Sequence, residues 1–123
     1  MFGPIAYASV GIVDVSAPGA PAFDAVDQVN NNEVRLAIRL PAVDADGSPI
    51  TGLRRLLVVS AGESEGSYNP FEGLGAGELS QVPGAVVQEL TLSESDAGAV
   101  KELTFAALSV GKRQWFAAVC SDE

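Results

Sequence analysis

The sequence contains no histidine, a single cysteine and only seven basic residues among its 123. Without histidine, the chain cannot build a Ser-His-Asp or Cys-His catalytic arrangement or a histidine metal site. The single cysteine, Cys120, excludes an internal disulfide, so packing must supply the stability. On a predicted strand, this residue is interpreted as a small buried apolar side chain rather than a reactive thiol. We therefore expect a protein that is not an enzyme and needs no cofactor.

Basic charge is scarce relative to acidic charge. Sixteen acidic residues against seven basic ones give a formal net charge of −9, and the isoelectric point is near 4.2. Nucleic acids and anionic membranes are bound through clustered Lys and Arg, so we expect neither as a partner. No apolar run is long enough to span a membrane. The first residues lack a basic segment followed by a sustained apolar one, so we expect no secretion through a signal peptide.

Apolar residues, in contrast, are plentiful. Hydrophobic residues make up 47% of the chain and charged residues only 19%, below the roughly 25% of ordinary soluble domains. A domain of this size has much surface to cover, so an apolar composition indicates that neighbouring molecules cover part of it. We expect protein partners, either copies of this chain or other subunits of an assembly.

Two alternating segments near the end of the sequence predict a strand, a tight corner and a second strand. In LTFAALSVGKRQWFAAVC, Leu103 and Phe105 share one face, and the chain turns at Gly111. The returning strand alternates between two apolar faces, one of which begins with Trp115. This is the only tryptophan, and the size of its ring predicts a core anchor.

Further strands are spaced along the chain without a convincing amphipathic helix between them. EVRLAIRL, residues 33–40, alternates with Val34, Leu36, Ile38 and Leu40 pointing inward. LRRLLVVS, residues 53–60, is apolar on both faces, as is typical of a sheet centre. Shorter strands are predicted at residues 23–29, 78–82 and 85–92, with a long loop at 61–77. Residues 93–99 are predicted as a polar turn, with one helical turn as the alternative. This pattern predicts an all-β, antiparallel two-sheet sandwich.

Three stretches resemble a fibronectin type III domain. PGAPAF resembles the proline-marked start of its first strand, VRLAIRLPAVDADGSPITGLRRLLV its second and third strands, and LTFAALSVGKRQWFAAV its corner and following strand. The resemblance implies a fibronectin type III or immunoglobulin-like sandwich over residues 18–123, with residues 1–17 as an extra N-terminal strand or arm. An aliphatic residue, Ile38 or Leu40, stands where the family has a core tryptophan, and Leu53 stands where tyrosine is usual.

The resemblance leaves the family's seventh strand without a counterpart. A sandwich without that strand exposes a sheet edge beside residues 113–120, and bare edges invite pairing. We expect the segment Ile5–Val15 to fill this position, either on its own domain or in a neighbour by strand addition. The candidate partner-binding residues of this arm are Ile5, Tyr7, Val10 and Ile12.

The long loop is the second candidate contact surface. It carries Tyr68, Pro70, Phe71 and Leu74, which are large apolar residues for a loop. Exposed aromatic residues on a loop are typical of a binding surface. The alternative is that Phe71 and Leu74 fold back over the sandwich as a lid.

Charged clusters give weaker signals. Asp44 and Asp46, in DADG, form a fragment of a calcium loop without the further oxygen donors, so we interpret them as an inter-strand turn. Glu63 and Glu65 are interpreted as solvated surface. Arg54 and Arg55 are expected to pair with carboxylates of the same chain. GLGAG, residues 73–77, lacks the lysine and helix of a phosphate-binding loop.

These observations lead to an expected function. The first hypothesis is a non-catalytic structural subunit of a larger assembly, homo-oligomeric or particle-bound. By analogy with stand-alone domains of this kind, that assembly is a bacteriophage virion, with the chain as a capsid decoration or tail protein. The alternative is an adhesion or carbohydrate-binding module that uses the 61–77 loop.

Overall fold

Six antiparallel strands form two sheets that face each other. The computed structural model describes residues 1–9, 17–50, 52–62, 68–106, 108 and 113–122. The strands are β1 (Ala22–Asn30), β2 (Glu33–Arg39), β3 (Arg55–Gly62), β4 (Val86–Thr91), β5 (Val100–Phe105) and β6 (Gln114–Ser121). One sheet has the order β1-β2-β5 and the other has the order β4-β3-β6. The predicted all-β, two-sheet architecture is confirmed.

The main core lies between the two sheets. The alternation predicted for β2 is confirmed, since Leu36 and Ile38 are fully buried and Leu40 is 2% exposed. Phe105 on β5 is also fully buried, and its ring centroid lies 5.5 Å from that of Phe116 on β6 in a tilted arrangement. Such aromatic pairs contribute about 0.5–1.5 kcal/mol beyond their buried area. This contact joins the two sheets.

A second apolar layer covers the outer face of the β4-β3-β6 sheet. The central strand β3 pairs with both β4 and β6, as its two apolar faces predicted. Its outward residues Val59 and Ala61 are buried together with Phe71 and Leu79 from the segment 68–85. Burying one large apolar side chain stabilises the fold by about 1.5–3 kcal/mol. Both faces of this sheet are therefore packed.

Two predictions about this region are wrong. Trp115 is only partly buried and packs in the outer layer, whereas its neighbour Phe116 packs on the main core. Both faces of β6 are apolar, so alternation alone does not select the inner one. The predicted strand at 78–82 is instead part of a 3₁₀ helix, Ala76–Gln81, which buries Leu79 against the sheet.

The polar turn before β5 is a single 3₁₀ turn, Glu94–Asp96, so the helical alternative applies there. Ser93 and Asp96 form a capping box, in which the Ser93 backbone N–H donates to Asp96 Oδ2 at 2.9 Å. Lys101 Nζ lies 3.0 Å from Asp96 Oδ1. The hydrogen bond from the Ser93 backbone, followed by the contact with Lys101, lowers the pKa of Asp96 below its ordinary value.

Candidate assembly site on the open side of the sandwich

One lateral side of the sandwich is closed by a contact between its two edge strands. Gln88 on β4 donates from Nε2 to the backbone oxygen of Thr104 on β5 at 2.7 Å. Since β4 and β5 are edge strands of different sheets, this hydrogen bond joins the sheets along that side. The opposite side is bordered by β1 and β6.

On that opposite side, β1 presents apolar residues that the second sheet does not cover. Phe23 is paired with Ile38 and Val26 with Leu36, and directly opposed residues point to the same face of a sheet. Ile38 and Leu36 are fully buried, yet Phe23 is 38% exposed and Val26 is 53% exposed. The inner face of β1 thus extends past the edge of the other sheet. We call Phe23 and Val26 the β1 apolar patch.

The strand β6 borders the same side. It pairs with β3 along one edge, and no strand among the described residues pairs with its other edge. An unpaired edge presents alternating N–H and C=O groups that a further strand can satisfy. Near the end of β6, Cys120 is buried, and desolvation raises the pKa of its thiol to about 11. The thiol therefore stays protonated at neutral pH, consistent with an apolar packing role.

The described part of the N-terminal arm, residues 1–9, is exposed throughout and forms no strand. Phe2, Ile5 and Tyr7 are 102%, 74% and 88% exposed. None of the side chains in this segment, MFGPIAYAS, is charged. Val10 and Ile12, the other predicted contact residues of the arm, lie outside the described residues. The predicted filling of the vacant edge is therefore not made by residues 5–9 within this single chain.

The base of the arm, residues 17–19, is held by the loop that contains Asp44 and Asp46. The Ala45 backbone N–H donates to the Ala17 oxygen at 2.9 Å, and the Gly19 N–H donates to the Val43 oxygen at 3.1 Å. Pro18 and Asp44 form an isolated antiparallel bridge between these bonds. A Cβ on Gly19 would lie 2.8 Å from the Val43 oxygen, so this close approach requires glycine. Residues 17–19 are therefore held in a fixed position at the base of the arm.

The same loop supports the turn interpretation of Asp44 and Asp46. The Gly47 N–H donates to the Asp44 oxygen at 2.9 Å, the Ser48 N–H donates to Asp46 Oδ1 at 3.0 Å, and Gly47 has a φ of 87°. Among the described residues, no three side chains of His, Cys, Asp or Glu come together as a metal site. Glu63 and Glu65 lie outside the described residues.

The long loop is divided between the two interpretations. Phe71 is buried and Leu74 packs on the outer layer, as the lid interpretation requires. The Phe71 backbone N–H donates to Asn69 Oδ1 at 2.9 Å, which fixes the turn before the lid. Tyr68 stays 67% exposed. The residues that follow Tyr68 in the chain contribute to a cavity of about 600 Å³, which is lined by Asn69, Pro70, Leu74, Glu78, Gln81, Val82, Pro83 and Gly62.

Arg54 and Arg55 both lie on the surface of the protein. Arg55 Nη1 lies 3.1 Å from Glu89 Oε1 across the β3–β4 pair, and both side chains are about half exposed. This confirms the expected intramolecular ion pair for Arg55. Exposed pairs of this kind contribute about 0–1 kcal/mol. Arg54 is exposed.

Sequence reasoning missed the β1 apolar patch. Residues 23–29 were predicted as a strand, but strict alternation places Phe23 and Val26 on opposite faces, and it is the register shift between Phe23 and Ala25 that brings both to the same face. Their exposure depends on how far the other sheet extends, which a single strand's sequence does not encode.

Comparisons of the chain with protein-family models, with curated proteins and with solved structures gave no significant match. No helix in the described parts of the chain has the length and apolar character needed to cross a membrane. The function of the protein is therefore inferred from the geometry of the chain itself.

Proposed function

We propose that the sandwich is a fibronectin type III-like or immunoglobulin-like domain in which no strand of the described residues takes the seventh position. In immunoglobulin-like folds, strands A, B and E share one sheet and strands C and F lie in the other. Here β1, β2 and β5 share one sheet, while β3 and β6 are neighbours in the other. The strand β4 lies beside β3, in the position of strand C′. Strand G of that fold would pair with β6, and the β1 apolar patch borders the same space.

We further propose that the protein is a non-catalytic structural subunit of a larger assembly. The observation that carries this proposal is the open side of the sandwich. On that side lie the β1 apolar patch and the edge of β6 with which no described strand pairs. Apolar surface of this kind is typical of contacts with another molecule. The uncharged, exposed arm adds a second apolar element that a partner would cover.

Within this class, the proposal is a bacteriophage virion protein, either a capsid decoration or a tail component. It is supported by analogy with β-sandwich domains of such particles. A role in holding subunits together also needs only packing and backbone pairing, which fits a chain with no histidine and one cysteine.

Two measurements test this proposal. Light scattering of the full chain over a range of concentrations should give masses above the 12.6 kDa of one chain, and a constant monomer mass would contradict a self-assembling subunit. Mass spectrometry of purified phage particles from the source that encodes the chain tests the virion role. Several copies per particle are expected, and intact particles without the chain would contradict the virion role.

The cavity lined by Asn69 and Pro70 favours one alternative, carbohydrate binding. The polar side chains of Asn69, Glu78 and Gln81 line it, and the exposed Tyr68 directly precedes Asn69 in the chain, so this loop could hold a small polar ligand. Glycan-array binding by the wild type that is lost in Tyr68→Ala would favour this function. Binding that is equal in both proteins, or absent, would argue against it.

A further inference from the structure

We propose that residues 2–9 of one copy add as a strand to β6 in a second copy, along the edge with which no described strand pairs, with Ile5 and Tyr7 covering its β1 apolar patch. This inference rests on the proposed structural function, and it names the partner as a second copy of this chain. The donor segment and the acceptor site are both present in one sequence. Two or more copies therefore satisfy each other's exposed apolar surface, either as a reciprocal pair or as a ring or chain.

The alternation of the arm fits this role. In an extended strand, every second side chain points to the same face, so Ile5 and Tyr7 share one face while Ala6 and Ala8 share the other. Ile5 and Tyr7 would point inward over Phe23 and Val26, whereas Pro4, Ala6 and Ala8 would point outward together with Phe2. In this arrangement, the arm covers the apolar side chains of β1 that the second sheet leaves exposed.

The lengths also agree. The strand β6 has eight residues, which at about 3.3 Å per residue gives an edge of about 26 Å. An extended segment over residues 2–9 has the same length. Pro4 lacks a backbone N–H, and proline is tolerated in a strand at its first residues or on an edge. The donated strand would itself become the new edge, so the proline is compatible with pairing to β6.

The charge distribution favours this contact between copies. Each copy carries a net charge of −9, so contact between two ordinary surface faces is opposed by like-charge repulsion. Residues 1–9 contain no charged side chain, and Phe23 and Val26 are uncharged. Of the two charged residues of β1, Asp24 contacts Arg39 on β2 at 2.8 Å, and Asp27 is paired in register with Arg35 on β2. The proposed contact therefore joins the uncharged parts of two acidic chains.

Pairing in another copy is favoured over pairing within one chain. Residues 5–9 are exposed on their own chain. The base of the arm also lies near the end of β6, because Ala17 and Pro18 line one surface cavity together with Ser121 and Asp122. An arm that folded straight back from this point would run parallel to β6, whereas every strand pair in both sheets is antiparallel. Antiparallel pairing is slightly more stable, and an arm from another copy can enter in that direction.

Mixed disulfide formation tests this proposal. One preparation carries Tyr7→Cys, a second carries Val26→Cys, and the two are refolded together and mildly oxidised. A matched control replaces Val26→Cys by Val100→Cys, because Val100 is 44% exposed on the other edge strand of the same sheet. Ile5→Cys is tested beside Tyr7→Cys to allow for register. Cys120 is retained in all chains, because it is buried.

We expect a covalent dimer between a chain with Tyr7→Cys or Ile5→Cys and a chain with Val26→Cys. Its yield should be at least several-fold above the yield with Val100→Cys. Equal yields with Val26→Cys and Val100→Cys would overturn the proposal. A chain that carries both Tyr7→Cys and Val26→Cys and forms only an intramolecular disulfide would also overturn it. Light scattering of the wild type separates the two levels of inference. Masses above one chain without the specific disulfide would overturn arm exchange and leave the structural function standing. A monomer at every concentration would overturn arm exchange and self-assembly alike, and mass spectrometry of the particles then decides the structural function.

Discussion

Val26 on β1 and Leu36 on β2 are directly opposed in the same sheet and point to the same face, yet Leu36 is fully buried and Val26 is 53% exposed. The second sheet covers one member of the pair and stops short of the other. This difference marks the boundary between the core of the chain and the surface that we assign to a partner.

Substitution of Val26 should weaken assembly without unfolding the chain. In Val26→Glu, a charge enters the proposed contact and the burial of a valine is lost, so association should weaken by at least about 1.5 kcal/mol, or roughly tenfold. The control Val100→Glu places the same charge on β5 and should leave association unchanged. Light scattering and thermal unfolding of both variants measure the two effects. Equal weakening by both variants would show that charge alone, rather than the β1 apolar patch, controls association.

The same boundary predicts unequal stability costs for two phenylalanines. Phe105 is fully buried and contacts Phe116 between the sheets, so Phe105→Ala should lower the free energy of unfolding by about 3–5 kcal/mol. Phe23 is 38% exposed, so Phe23→Ala should cost about 1 kcal/mol or less in the monomer. Urea unfolding at low protein concentration measures both. Similar losses would mean that Phe23 belongs to the core of the single chain.

Asp96 gives a pH-dependent contribution. Its pKa is lowered in the folded state, chiefly by the hydrogen bond from the Ser93 backbone and then by Lys101. A lowered pKa contributes stability that is fully present above the unfolded value of about 3.8 and is lost as the pH falls through the folded value. Asp96→Asn should therefore destabilise the chain at pH 7 and approach the wild type below pH 3.8. Unfolding curves at several pH values measure this difference, and a pH-independent gap would contradict the assigned contacts.

Cys120 gives the opposite dependence. Burial raises the pKa of its thiol from 9.0 to about 11, so the unfolded chain loses this proton first as the pH rises. The resulting stability is present below pH 9 and is lost as the pH rises toward 11. Cys120→Val should reduce the loss of stability over this window relative to the wild type. The wild-type thiol should also react with a thiol reagent far more slowly in the folded state than in urea, and equal rates would contradict its burial.

Local pattern predicted part of this structure well. The alternation of Leu36, Ile38 and Leu40 identified the inner face of β2, and the two apolar faces predicted for residues 53–60 identified the central strand, which the structure places at Arg55–Gly62. The pattern did not choose between Trp115 and Phe116, since β6 is apolar on both sides and the outer layer that receives Trp115 comes from a distant loop.

The site itself was predicted only in outline. The resemblance to a fibronectin type III domain implied a sheet edge beside residues 113–120 and an N-terminal arm to fill it. Phe71 was equally consistent with a contact residue and with a lid, because a buried and an exposed aromatic look alike in a loop sequence. The β1 apolar patch depends on the offset between two sheets, which is a property of the packed fold rather than of any one strand.

Hydrogen exchange along β6 tests the central claim most directly, namely that another chain covers the open side of the sandwich. Alternate backbone amides of β6 bond to β3, while the others point to the opposite edge, with which no described strand pairs. On raising the protein concentration, the edge-facing amides of residues 114–121 should become protected together with those of residues 5–9, as an added strand requires. Edge-facing amides that exchange freely in the assembled protein, while the amides bonded to β3 stay protected, would contradict the account.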